Sequence, residues 1–142
     1  MKQKLMGIAL ILIFALSVMA KSGANELQTR TKESIAGVWK GRFAEAPAID
    51  IELKVNGDNL IGKATFYVVQ NTDAGPVIKS KIDLPLIEPS FDGKDLLVNV
   101  KRNNGSYFKA RMRFIADNEA ILKPVDDHSA TDEMAITMFR QK

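Results

Sequence analysis

The stretch IDIELKV, residues 49–55, decides the fold class of this chain. Apolar and charged side chains alternate at every position, which is the period of two of a β-strand with one face in a core and one in water. An amphipathic helix would instead repeat its apolar residues every three or four positions. The stretch therefore predicts a strand at the surface of a hydrophobic core.

The same alternation recurs from residue 35 to residue 140, with turn residues between the alternating stretches. Asn56-Gly57, Asp92-Gly93 and Asn103-Asn104-Gly105 are such turns, and these residue types tolerate or supply the positive φ of tight hairpins. We predict eight strands, at residues 36–44, 48–55, 59–69, 76–86, 94–102, 106–115, 119–125 and 133–140. Short connections favour an all-β, eight-stranded antiparallel up-and-down barrel, since closure removes exposed edges.

The N-terminus has the pattern of a secretory signal peptide. Lys2 and Lys4 precede an apolar run that ends at Ala20, and this run is shorter than the roughly 20 residues that span a bilayer. We predict cleavage after Ala20, with a cut after Ala24 as the alternative. The protein is then exported, periplasmic or extracellular, with no stable membrane span after cleavage.

The predicted organisation is a signal peptide at 1–20, a polar tether at 21–34 and a β-barrel domain at 35–142. Loss of the signal removes two lysines and no acidic residue, so the formal charge falls from +3 to +1. A domain so close to neutral has no electrostatic reason to bind nucleic acid. The chain has no cysteine, so we expect neither a disulfide nor a lipid-modified cysteine.

Alternation also gives each predicted strand an apolar face that points inward. Eight strands are near the size at which side chains alone fill a barrel, so the interior is either a packed core or a cavity for an apolar guest. The loops after the first, third, fifth and seventh predicted strands share one end, and their irregular lengths favour a mouth there. The candidate ligand-binding residues, all predicted to face inward near this mouth, are Phe43, Ile49, Val68, Ile78, Val100, Phe108 and Met134.

The sequence around the single tryptophan carries a family resemblance. Residues 35–41, IAGVWKG, resemble the first strand of lipocalin and calycin-like barrels, in which a glycine, a tryptophan two residues later and another small residue begin the barrel. Residues 35–140 are also similar to small secreted bacterial domains of this style, which occur alone or ahead of α/β-hydrolase domains. The other matching stretches are 60–64, 82–85, 91–96, 105–107 and 134–140.

The resemblance implies a structural role for two residues. Trp39 would plug the closed end of the barrel, and Arg140 would cover its ring through a cation–π contact. A ligand platform formed by Trp39 is the alternative. The resemblance implies a fold and not an activity, because function on a shared barrel depends on the site.

The sequence offers little catalytic chemistry. His128, the single histidine, lies in an acidic stretch whose spacing matches neither a calcium loop nor a zinc site. Ser80 is the one polar side chain predicted to face inward. We therefore expect no catalytic residue, no metal ligand and no cofactor.

Three functions stay open at this point. The favoured one is a non-enzymatic, exported lipocalin-like barrel that binds a small hydrophobic molecule in its interior. The second is a protein-interaction module, such as an inhibitor of an envelope enzyme or an assembly domain, which uses loops at one end of a solid barrel and whose partner the sequence does not identify. An enclosing cyclase or isomerase has the least support, because it needs inward polar groups.

Overall fold

The computed structural model describes residues 29–125 and 135–142. They form one short helix, α1 (Lys32–Ile35), and a single antiparallel sheet of nine strands. The strands are β1 (Gly37–Phe43), β2 (Ala46–Asn56), β3 (Asn59–Thr72), β4 (Gly75–Pro85), β5 (Ser90–Phe91), β6 (Asp95–Lys101), β7 (Tyr107–Ala116), β8 (Glu119–Pro124) and β9 (Ile136–Arg140). The predicted signal peptide, most of the predicted tether, His128 and Met134 lie outside the described residues.

The all-β prediction is confirmed, but the sheet is not the closed eight-stranded barrel that we expected. Its order is β4-β3-β2-β1-β9-β8-β7-β6-β5, so β4 and β5 are edges. The additional strand, β5, has two residues and is too short to show an alternating pattern. Leu86 N donates to Gly62 O on β3, and Ile87 N donates to Asn99 O on β6. The chain thus crosses from one half of the sheet to the other within two residues. Among the described strands, β4 itself pairs only with β3.

The sheet is strongly curved around one core. Phe66 on β3 and Phe108 on β7 have ring centroids 5.5 Å apart, although β2, β1, β9 and β8 lie between those strands in the sheet. In a flat sheet, five inter-strand steps would separate them by roughly 24 Å. The two halves of the sheet therefore face each other.

The alternating residues of the sequence form the core as expected. In β2, Ile49, Ile51 and Leu53 are buried while Lys54 is exposed. Each fully buried aliphatic side chain contributes about 1.5–3 kcal/mol to the hydrophobic term of folding. The buried hydrophobic residues are Ile35, Trp39, Ile49, Ile51, Leu53, Leu60, Ala64, Leu96, Val98, Val100, Ala110, Met112, Phe114, Ala120, Leu122 and Met138.

Phe43 does not lie in the interior that we predicted for it. Gly41 pairs with Ile49 but Arg42 pairs with Pro47, so Ala48 is an extra residue in β2. An extra residue shifts the alternation of the strand that carries it, here β2, and leaves that of β1 unchanged. Phe43 is 61% exposed because it lies at the end of the β1–β2 hairpin, one residue past Arg42, the last β1 residue that pairs with β9.

A second bulge acts on the β3–β4 hairpin. Val68 pairs with Ser80 and Val69 pairs with Ile78, which leaves Lys79 as the extra residue. Ile78 therefore lies on the face opposite to that of Val68, and it is 48% exposed instead of inward. Val68 is exposed as well, because β3 pairs with β2 only as far as Phe66 and the hairpin then extends beyond the core.

The end of the predicted tether is attached to the sheet. Thr31 caps α1 in a capping box with Ser34. Arg30 donates its backbone N–H to Gly93 O and forms a 2.9 Å ion pair with Asp117.

Within residues 29–125 and 135–142, no helix has the length and apolar character to cross a membrane.

Candidate functional site

Trp39 lies fully buried beside α1. Its indole Nε1 donates a 2.9 Å hydrogen bond to Ile35 O, and its ring meets Phe114 edge-on at 5.2 Å between centroids. Both contacts are those of a core aromatic whose polar atom is satisfied. The end of the sheet next to α1 is thus filled by the chain itself.

Arg140 completes this plugged end. Its guanidinium carbon lies 5.8 Å from the centroid of the Trp39 ring, and it donates hydrogen bonds to Ser34 O and Ala36 O. These carbonyls lie at the end of α1, where backbone acceptors have no partner within the helix. Gly37 has φ +131°, and a Cβ there would lie 3.1 Å from Arg140 Nε. The glycine of the first strand therefore leaves room for the arginine of the last strand.

A cavity of about 380 Å³ opens where β4 and β6 diverge. We call it the seam cleft, and its lining residues are Phe66, Ile82, Leu84, Arg102, Asn103 and Asn104. The last three belong to the β6–β7 turn, one of the loops assigned to the mouth from the sequence. The cleft exists because β4 leaves β3 toward β6 only after Pro85, so the earlier part of the strand stays apart from β6.

The apolar wall of the seam cleft is continuous with the core. Phe66 and Leu84 are half-buried and pack against the core cluster, and Phe66 also meets Phe108 edge-on. Ile82 pairs with Phe66 across the β3–β4 ladder and is 40% exposed. An apolar guest in the cleft would therefore extend the core and cover hydrophobic surface that is now open to water.

The β6–β7 turn holds Arg102 above this wall. Arg102 N donates to Ser106 O at 2.7 Å and Gly105 N donates to Arg102 O at 3.0 Å. The Asn104 side-chain oxygen accepts from Ser106 N and from Ser106 Oγ. The Arg102 guanidinium carbon lies 5.6 Å from the centroid of the Phe108 ring. Arg102 thus contacts the Phe108 ring from a hydrogen-bonded turn.

The predicted ligand-binding residues lie in different parts of the structure. Ile49 and Val100 are buried in the packed core, and Met134 lies outside the described residues. Phe108 lies behind the cleft wall, between Phe66 and Arg102. The remaining three, Phe43, Val68 and Ile78, are exposed on the hairpins.

Sequence reasoning missed most residues of the seam cleft. The alternation of Ile82 and Leu84 was a usable signal for the apolar wall. The sequence indicates only a turn at Arg102, Asn103 and Asn104. The residue types of a turn do not indicate which strand the turn faces across the cleft.

A polar network covers the other face of β2, β3 and β4. Tyr67 OH donates a 2.6 Å hydrogen bond to Asp50, and Thr65 donates one of the same length to Asp83. The hydrogen bond to Asp50 raises the pKa of Tyr67 to about 12. Because the phenol stays protonated at neutral pH, it is a poor base, and we regard the network as structural.

In the described part of the chain, no three His, Cys, Asp or Glu side chains gather as a metal site.

A larger depression of about 710 Å³ lies among the hairpin ends around Phe43, Tyr67 and Pro76. Tyr67 belongs to the outer polar network, so this depression opens on the face of the sheet away from the core. Of its lining residues, Ala48 alone packs against the core cluster among the described residues. The seam cleft is therefore the better candidate for a binding site.

Comparisons of this chain with protein-family models, with curated proteins and with solved structures find no match.

Proposed function

We propose that this domain binds a small apolar molecule in the seam cleft, as a binding protein without enzymatic activity. One observation carries the proposal: Phe66, Ile82 and Leu84 present an apolar wall, continuous with the core, to a cavity of about 380 Å³. Ligand pockets commonly measure about 300–1,000 Å³ and are lined mainly by hydrophobic side chains with a few polar groups. The seam cleft has both features.

Energetics set a lower limit on the guest. Burial of a methylene group contributes about 0.8 kcal/mol, whereas association costs at least about 4 kcal/mol in lost freedom. Several methylenes or an aromatic ring must therefore enter the cleft before binding is favourable. We expect a medium-length alkyl chain or a small ring system as the guest.

The chemistry of the lining supports a non-enzymatic role. The described residues that line the seam cleft carry no carboxylate, imidazole, hydroxyl or thiol group. General acid–base or nucleophilic catalysis needs such a group within hydrogen-bond reach of the substrate. The wall can bind and orient a guest but has no side chain with which to transform it.

We also propose that this fold is related to the lipocalin-like barrels that the sequence resembles. The tryptophan of the G-x-W-x-G stretch lies under the arginine of the last strand, and the sheet curves around one core. The backbone hydrogen bonds of Leu86 and Ile87 join the two halves of the sheet at one point. These features support an opened variant of the eight-stranded barrel, in which β4 and β5 are two parts of one interrupted strand.

Export is part of the same proposal. It rests on Lys2, Lys4 and the apolar run that follows them. N-terminal sequencing of the protein from its native host should find residue 21 or residue 25 first. A mature chain that still begins at Met1 would contradict export by a cleaved signal.

The proposed site is tested by placing a charge in its apolar wall. Ile82→Glu should weaken binding of the neutral dye N-phenyl-1-naphthylamine at least about tenfold, which corresponds to about 1.4 kcal/mol, because the carboxylate must lose water when the guest enters. The measurement is a fluorescence titration with the dye, followed by its displacement with decanol.

Ile115→Glu is the matched control. Ile115 is 49% exposed on β7 and does not line the seam cleft, so its substitution should leave the dye affinity unchanged. Absence of saturable dye binding to the unmodified protein, or an equal effect of both substitutions, would contradict the proposed site.

A protein-interaction role is the second candidate, and the β4 edge favours it. Val77, Ile78 and Ile82 are exposed on this edge strand, and exposed edges accept extended peptides as additional strands. Pro76 and the exposed Lys79 are, however, residue types that protect edges from such pairing. We therefore place this role below the binding of a small molecule.

A further inference from the structure

We infer that the guest of the seam cleft carries a carboxylate, which Arg102 binds. This inference rests on the proposed function, because it concerns the same cleft, and it adds the chemical identity of one end of the ligand. The apolar part of the guest would lie on Phe66, Ile82 and Leu84, and its carboxylate would lie at the β6–β7 turn. The guest is thus an amphiphile with a negative charge at one end.

Arg102 differs from the arginines that stabilise the fold. Arg30 pairs with Asp117 at 2.9 Å, and Arg113 donates two hydrogen bonds to Asp95, at 3.0 and 3.2 Å. Arg102, in contrast, has no carboxylate within 4.0 Å in the part of the chain that the structure describes. No carboxylate of the described residues therefore neutralises its positive charge at the cleft.

The cation–π contact of Arg102 does not consume the N–H groups of its guanidinium. The Arg102 guanidinium carbon lies 5.6 Å from the centroid of the Phe108 ring, which is within cation–π range. Its N–H groups lie in the guanidinium plane and match the two oxygens of a carboxylate. The contact with Phe108 limits the rotamer freedom that an exposed arginine would lose on binding.

The other polar groups of the cleft are also suited to an anion. Asn103 and Asn104 line the same turn, and the Asn104 side-chain oxygen is already occupied by two donors from Ser106. The NH₂ group of Asn104 is the part of this side chain that can donate a hydrogen bond to a guest. Among residues 29–125 and 135–142, no acidic residue lines the cleft, and the polar residues of its rim there are a cation and two amides. Such a rim favours a carboxylate over a cationic or neutral head group.

The test compares two guests that differ in the head group. Decanoate and decanol displace N-phenyl-1-naphthylamine from the unmodified protein and from Arg102→Gln, which keeps amide donors but removes the charge. We expect Arg102→Gln to weaken decanoate about fivefold, the upper range of exposed ion pairs, and to change decanol less than about twofold. Raising the ionic strength should reduce the affinity for decanoate alone.

Arg42→Gln is the matched control. Arg42 is an exposed arginine that does not line the seam cleft, so its loss should affect neither guest. Circular dichroism checks that each variant is folded.

The outcomes separate the two proposals. Failure of the dye and of both guests to bind the unmodified protein would overturn the proposed function and this inference together. Equal binding of decanoate to the unmodified protein and to Arg102→Gln would overturn the inference and leave the apolar site intact. Equal weakening of both guests by Arg102→Gln would also overturn it, because Arg102 would then act on the shape of the cleft through Phe108.

Discussion

Replacing Trp39 with alanine should lower the free energy of unfolding by about 3–5 kcal/mol. The side chain is fully buried, touches Phe114, and its Nε1 satisfies Ile35 O. Alanine would leave a cavity under α1, an unpaired carbonyl and an Arg140 without its ring. Since single domains have a total stability of about 5–15 kcal/mol, this is a large fraction of it. Denaturant unfolding followed by circular dichroism measures the change without depending on tryptophan fluorescence.

Two further variants separate the causes of this loss. Trp39→Phe keeps an aromatic ring but cannot donate to Ile35 O, so it should cost about 1–3 kcal/mol and stay folded. Phe139→Ala removes an aromatic ring that is 56% exposed on the neighbouring strand, and it should cost about 1 kcal/mol or less. A Trp39→Ala protein as stable as Phe139→Ala would contradict the structural role of Trp39.

Gly62→Ala should lower the free energy of unfolding by about 1–3 kcal/mol, although it adds a single methyl group. A Cβ at this position would lie 2.0 Å from the backbone oxygen of Glu52, and Leu53 is the cross-strand partner of Gly62. A backbone atom cannot move aside like the end of a side chain, so β2 and β3 must separate locally. Gly62 O also accepts from Leu86 N, so the shift would reach the crossing next to the seam cleft.

Gly57→Asn provides the contrast. Gly57 has φ +62°, and a Cβ added there would have no other atom within 4 Å. Asparagine tolerates this backbone conformation, so the substitution should change stability by less than about 0.5 kcal/mol in the same unfolding experiment. An equally small change in the free energy of unfolding for Gly62→Ala would contradict the close approach of β2 and β3 at this position.

The strands were predictable because their pattern is a direct consequence of burial on one face. The stretch from Ile49 to Leu53 and the alternation in β7 both place buried residues where the sequence indicates them. The turns followed from glycine, asparagine and aspartate. Asp92 at the turn before β6 illustrates this, since its carboxylate accepts from the backbone N–H groups of Lys94 and Asp95, which lower its pKa.

The bulges and the opening of the sheet were not predictable in the same way. A bulge adds one residue without changing composition, and its position depends on the partner strand. The bulge at Lys79 moved Ile78 to the other face, whereas Phe43 is exposed because the β1–β2 hairpin extends past the pairing of β1 with β9. The crossing at Leu86 and Ile87 depends on long-range backbone hydrogen bonds, which leave no local signal.

The candidate site follows from these long-range features. Phe66 and Phe108 are far apart in sequence and come together only because the sheet curves. Arg102 reaches them from a turn whose own residues indicate nothing beyond a turn. The apolar character of the site was therefore foreseeable from alternation, whereas its location and its positive charge required the structure.

The central claim is that an apolar guest occupies the seam cleft, and methyl NMR tests it most directly. Protein labelled at isoleucine and leucine methyl groups is titrated with decanol, the neutral guest, and the chemical shifts are followed residue by residue. We predict saturable shifts at Ile82 and Leu84, with Ile61 and Leu97, which are exposed elsewhere, unchanged. Shifts confined to Ile61 or Leu97, or no saturable shift at Ile82 and Leu84, would contradict the claim.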